Sequence, residues 1–134
     1  MNHKKKEILL LTHGGWGTKL IQSLKMIIGE IDGVYEIALN PSDTFKEFYE
    51  RVKSKLEEMP EDSLVITDIF GGTTSNVAVR LSMDFKVNVV SGLNAPMLLE
   101  AITLIDNDEF DFADKLVDAG RASCKNVKKE VNFK

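Results

Sequence analysis

Among the 134 residues of this chain, the pair best placed to do chemistry together is His13 and Asp68. Each closes an apolar run: Ile8-Leu9-Leu10-Leu11-Thr12 leads into His13, and Leu64-Val65-Ile66-Thr67 leads into Asp68. Such runs, bounded by turns, read as buried parallel strands, and in open α/β sheets ligands bind beyond the carboxyl ends of the strands. A neutral imidazole there can serve as nucleophile, base or metal ligand. A carboxylate that accepts one ring N–H selects the tautomer, leaves the other nitrogen's lone pair free and stabilises the ring as it gains charge. The plainer reading of the same residues has Asp68 capping the turn behind it and His13 packed at a strand end.

The segment after Asp68 favours the chemical reading. Gly71 and Gly72 let backbone N–H groups approach an anion closely, and the hydroxyls of Thr73 and Thr74 add donors. A helix opening near Ser75 aims its positive end at the same place. Phosphate is the anion that fits this set, although a plain strand-to-helix loop would use the same residue types. Neither G-x-x-x-x-G-K-[ST] nor G-x-G-x-x-G occurs, so the common nucleotide loops have no support.

Around this centre lie residues of the pocket or of a docking surface. Gly14, Gly15 and Gly17 surround Trp16, which either covers the histidine or offers an apolar contact. Phe70 sits in the glycine turn, and Asn94 and Pro96 follow a later strand on the same edge of the sheet. Met26, Met83 and Met97 fall on helical faces and read as core filling. His3 lies in a tail and has no evident role.

Alternating strands and helices must position these residues. Leu20, Ile21, Leu24, Ile27 and Ile28 recur at helical spacing up to Gly29, and Val34 to Leu39 reads as a second strand. Asn40-Pro41-Ser42-Asp43 stops that strand and offers an N-cap for a helix through Phe45, Phe48, Tyr49, Val52 and Leu56, which Pro60 ends. Ser63 to Asp68 is a third strand, followed by a helix through Val77, Ala78 and Leu81. Val87 to Ser91 is a fourth, followed by a helix with Pro96 in its first turn, and Phe112, Leu116, Val117 and Gly120 begin a last amphipathic helix. The expected fold is α/β: an open, mainly parallel four-stranded sheet in the order 2-1-3-4, helices on both faces, one domain over residues 1–134. That order puts the switch point between strands one and three, where His13 and Asp68 end.

Composition narrows the function classes. With 43% hydrophobic and 28% charged residues the chain is that of an ordinary globular protein, and a net charge of -4 argues against nucleic acid as a partner. No apolar run approaches the roughly 20 residues a spanning helix needs. The run behind Lys4 to Lys6 is too short for a signal peptide, so the expected location is cytoplasmic. Cys124 is the 1 cysteine, which excludes an intramolecular disulfide and a cysteine-based zinc site. The sequence calls for no metal and no cofactor.

Taken together, Ile8 to Gly14, Asp68-Ile69-Phe70-Gly71-Gly72-Thr73-Thr74-Ser75-Asn76 and Ser91-Gly92-Leu93-Asn94-Ala95-Pro96-Met97-Leu98-Leu99-Glu100 resemble the IIA domain of the mannose-type family of the bacterial sugar phosphotransferase system. The likeness runs in order from the first strand to about Lys125. It implies a phosphotransferase that carries a phosphoryl group as phosphohistidine. His13 matches the histidine that accepts the group from the carrier protein HPr and passes it to a IIB component, here expected to be a separate chain. Asp68 matches the aspartate that orients that histidine. The resemblance also implies indirect membrane association through a IIC/IID transporter and a homodimer that exchanges a fifth, antiparallel strand, for which Ser123 to Val131 is the available segment. Thr73-Thr74 departs from the Ser-Pro that many relatives carry after the paired glycines, and the loop around Trp16 is heavier than expected.

Other readings keep the same residues. The chain could donate phosphoryl groups to dihydroxyacetone kinase, or act as a regulatory module whose docking depends on the state of His13. A hydrolase with His13 as base would need a nucleophile, and Ser91 is the candidate at a strand end.

Overall fold

The apolar runs do become strands. In the computed structural model, which describes residues 5–107 and 111–131, they are β1 (Ile8–His13), β2 (Val34–Leu39), β3 (Ser63–Thr67) and β4 (Val87–Ser91). All neighbouring strands are parallel and the order is β2-β1-β3-β4, with Leu10 opposite both Glu36 and Ile66 and with His13 opposite Leu39. His3 lies outside the described residues.

The central strands are mainly apolar because both of their faces are covered. Ile8, Leu10, Leu64 and Ile66 pack under α1 (Trp16–Ile28), α4 (Ala95–Leu104) and α5 (Phe112–Ala122). Leu9, Leu11 and Val65 point the other way, under α2 (Phe45–Glu58) and α3 (Thr73–Leu81). Alternation along each strand thus divides one hydrophobic run between two cores.

Several local expectations change. Trp16 and Gly17 belong to the first turn of α1 rather than to the loop, because Gly15 supplies a left-handed N-cap at φ 88°. The stripe on α1 is narrower than its periodicity suggests: Leu24 is buried, whereas Ile27 and Ile28 are exposed in the last turn, beyond the reach of the sheet. Met97 fills the core, but Met26 and Met83 are exposed: Met26 lies on the solvent side of α1, and Met83 lies in the turn after α3 rather than on a helical face. The N-cap of α2 is Thr44, just after Asn40 to Asp43. Its hydroxyl accepts from the Glu47 N–H while the Glu47 carboxylate accepts from the Thr44 N–H, a reciprocal capping box.

The C-terminal segment also differs from the strand considered for it. Residues 124–126 have no regular structure and α6 (Val127–Glu130) follows, exposed along its length. An exchanged strand takes its hydrogen bonds from a partner's sheet. A single chain meets the same backbone requirement with a local helical turn, as Glu130 and Val131 do by donating to Asn126 and Val127.

Removing the α2 cap isolates a local term. Thr44→Ala is expected to cost about 1 kcal/mol of stability, read as a lower midpoint in urea unfolding with an unchanged slope.

Candidate functional site

Register brings the two reactive ends together. β1 and β3 are adjacent, and the Asp68 N–H donates to the Leu11 carbonyl at 3.0 Å, which places the carboxylate beside the last residue of β1. Asp68 Oδ2 then accepts from the His13 backbone N–H at 2.7 Å and lies 2.9 Å from His13 Nδ1. Its other oxygen, Oδ1, accepts from the Ile69 N–H and the Thr74 hydroxyl, both at 2.9 Å. The Asp68 side chain is 2% exposed and that of His13 is 45% exposed, so the carboxylate is sheltered and the imidazole is accessible.

Burial works to raise the Asp68 carboxyl, but the hydrogen bonds from His13 and Thr74 outweigh it and hold the group below the ordinary carboxylate range. An ionised carboxylate is an acceptor only, so Nδ1 carries the proton and Nε2 keeps its lone pair. Among the described residues Nε2 has no hydrogen-bond partner. It faces the N-terminus of α3: a Cβ on Gly72 would lie 4.0 Å from Nε2 and 3.6 Å from Cε1, ordinary contact distances.

The glycine turn divides its work. Gly71, at φ 85°, reverses the chain, and Gly72 is the N-cap of α3 with no side-chain cap of its own. The amides of Gly72, Thr73, Thr74 and Ser75 therefore open the helix without intrahelical acceptors. Thr73 lines the crevice with His13. Thr74, expected to present its hydroxyl to an anion, is fully buried and spends it on Asp68. Ser75 is buried as well, in a hydroxyl cluster with Thr67 and Ser91, at 2.8 Å from Thr67, and it donates to the Ile69 carbonyl at 2.6 Å. Among the described residues the Ser91 hydroxyl bonds to those of Thr67 and Ser75 and to no base, which leaves the hydrolase reading without an activated nucleophile there.

His13, Gly14 and Thr73 line a crevice of about 480 Å³ whose other wall is Leu39, Asn40, Pro41, Asp43 and Phe45. Sequence reasoning overlooked that wall. The strand order held the signal, because the loop after β2 must border the end of β1. The wall is fixed from α2, where Arg51 donates to both oxygens of Asp43 and, at 2.6 Å, to the Ala38 carbonyl.

The remaining expected residues lie elsewhere. Asn94 caps α4, accepting from the Met97 N–H at 2.9 Å, with Pro96 in the first turn; Asn94 borders a separate depression with Phe70 and Arg121. Pro96 is likewise absent from the histidine crevice, because both residues are spent on starting a helix one strand further out. Trp16 is exposed at the start of α1 and does not line the crevice, and Phe70 projects into solvent beside the glycine turn. Among the described residues no three His, Cys, Asp or Glu side chains gather as a metal site, and no helix is long and apolar enough to cross a membrane.

The family described as PTS system fructose IIA component, EIIA-man, matches residues 7–118, which spans both strand ends, the glycine turn, α1 to α4 and part of α5. The chain belongs to this family. It carries a IIA domain of the sugar phosphotransferase system. It is 30% identical over 126 residues to the mannose-specific EIIAB component of Escherichia coli, covering 90% of this chain and 39% of that protein; the chain thus spans about two fifths of that relative's length. It is also 30% identical to the sorbose-specific EIIA component of Lacticaseibacillus casei, over 75% of each chain. Among solved structures, the IIA protein associated with the fucose utilization operon of Streptococcus pneumoniae superposes with a TM-score of 0.85 at 28% identity, over 98% of this chain and 100% of that one.

The Asp68 hydrogen bonds make the IIA fold sensitive to acid. A depressed folded-state pKa contributes stability that is fully present above the unfolded value of about 3.9 and disappears as pH falls through the folded value. Asp68→Asn is expected to be less stable than wild type at pH 7, with the gap closing below about pH 4 as the wild-type carboxylate is protonated. Urea unfolding across that range measures it; a gap independent of pH would contradict the assignment.

Proposed function

We propose that this IIA component accepts a phosphoryl group on Nε2 of His13 from HPr and passes it to a IIB component. The observation that carries the reading is the 2.9 Å contact of His13 Nδ1 with Asp68, which leaves Nε2 uncommitted and facing the α3 N-terminus. The Nε2 lone pair attacks phosphorus, the N–P bond forms, and the bond to the donor histidine breaks with its electron pair returning to the donor ring. The Nδ1 proton stays on His13, where Asp68 balances the charge of the phosphorylated ring. The amides of Gly72, Thr73 and Thr74, with the Thr73 hydroxyl, spread the charge on the equatorial oxygens. Thr74 acts through its amide, its hydroxyl being held by Asp68.

The second transfer runs the same chemistry in reverse toward IIB. The sugar enters the scheme at the membrane IIC/IID transporter, so this chain's contribution to uptake is the phosphoryl relay. Relatives named for mannose and for sorbose have the same order of identity to this chain, and neither sugar is favoured by the residues at the crevice. Assembly as a homodimer is part of the same reading.

Incubation with phosphoenolpyruvate, the first enzyme of the system and HPr is expected to add one acid-labile phosphoryl group, absent from His13→Ala. An unmodified wild type, or an equally labelled alanine variant, would overturn the proposal. Thr73→Ala is expected to slow acceptance by about 10²-fold, the scale set by loss of one preorganised donor, measured by rapid quench.

A further inference from the structure

We propose that Glu36, on β2, is a positioning residue for the transfer: its carboxylate occupies the N-terminus of α1, so that the helix amides left open beside His13 are those of α3. This rests on the phosphocarrier reading above.

α1 begins directly after the histidine loop, and Gly15 offers it no side-chain cap. The missing cap comes from another strand. Glu36 Oε2 accepts from the Gly17 N–H at 2.6 Å and from the Thr12 hydroxyl, while Oε1 accepts from the Thr18 N–H at 2.9 Å and the Thr18 hydroxyl at 2.6 Å. One half-buried side chain thus ties the residue before His13 to the first turn of the helix after it. Burial works to raise the Glu36 carboxyl, and the donors from Thr12, Thr18 and Gly17 prevail and hold it below its ordinary value, so the cap is an anion.

The fit is close. A Cβ on Gly17 would fall 2.5 Å from Glu36 Oε2 and 3.2 Å from Leu10 Cδ1, so only glycine lets the carboxylate reach the helix end. The loop between, Gly14 at φ 76° and Gly15 at φ 88°, has no side chains to hold it; the Gly14 N–H donates to the Leu39 carbonyl at 2.9 Å, and side chains fix only its two ends. The Asp68 bonds anchor the His13 side of that loop, and Glu36 anchors the α1 side.

The electrostatic consequence is selective. A helix N-terminus carries about half a positive charge; Thr73, the first residue of α3, lines the crevice, and α1 starts just after Gly14, which lines it as well. Glu36 satisfies the α1 end from within the protein, whereas α3 starts at a glycine with no side-chain cap. A phosphoryl group on His13 is therefore drawn to one side only.

The test uses wild type, Glu36→Ala and Glu36→Gln, the last keeping one acceptor oxygen at the same reach. Two measurements are made: the rate of His13 phosphorylation by phospho-HPr, and a titration with inorganic phosphate followed by amide NMR. Expected are a fall of about tenfold in kcat for Glu36→Ala with KM for HPr unchanged, partial recovery in Glu36→Gln, and phosphate-induced shifts at Gly17 and Thr18 in the alanine variant that wild type lacks. A folded alanine variant with wild-type kcat, an effect confined to KM, or no new shifts at Gly17 and Thr18 would overturn it. The phosphate titration requires no HPr, so failure of the phosphocarrier reading shows separately, as absence of wild-type labelling.

Discussion

Everything at the reactive end of this protein hangs on the Asp68 carboxylate, buried and saturated with donors. Backbone and ring of His13, the Ile69 amide and the Thr74 hydroxyl all converge on its two oxygens. An isolated buried carboxylate would be costly, and this one is tolerable because each oxygen accepts charge-assisted bonds. In return it joins two strands, sets the tautomer of the imidazole and anchors the first turn of α3. Loss of any one donor would disturb the others, because they share a single acceptor group.

The sheet makes that convergence possible. Parallel strands end together on one edge, and helices that return over either face start from that same edge with their amides exposed. The protein treats these helix starts differently. α2 closes its own end with Thr44 and Glu47, α4 with Asn94, and α1 borrows Glu36 from a neighbouring strand. α3 alone among the four helices that follow strands has no side-chain acceptor at its start, and it is the one that faces Nε2. A positive end left open beside a free lone pair suits a dianionic group held between them.

The hydroxyls near the site illustrate how structure assigns roles among similar residues. Thr73, Thr74 and Ser75 are consecutive and chemically alike, yet one faces the crevice, one serves Asp68 and one is sealed with Thr67 and Ser91. Helical geometry turns each by about 100° from the last, so neighbours in sequence look in different directions. The crevice wall opposite is held by Arg51, whose fork joins Asp43 and the Ala38 carbonyl across the end of β2.

The amino-acid sequence by itself determined the strand and helix order, the sheet order and the pairing of His13 with the Asp68 end, because hydrophobic periodicity and turn residues act locally and the rules of parallel connection leave few topologies. It also carried the family resemblance that the match over residues 7–118 upholds. What only the tertiary structure decided was which polar atom meets which: the turning of Thr74 to Asp68, the absence of Asn94 and Pro96 from the histidine crevice, the exposure of Met26 and Met83, and the reach of Glu36 to α1. These depend on contacts between residues far apart in the chain, Thr12 with Glu36 and His13 with Asp68, and a one-dimensional pattern records which face a residue takes but not what stands opposite it.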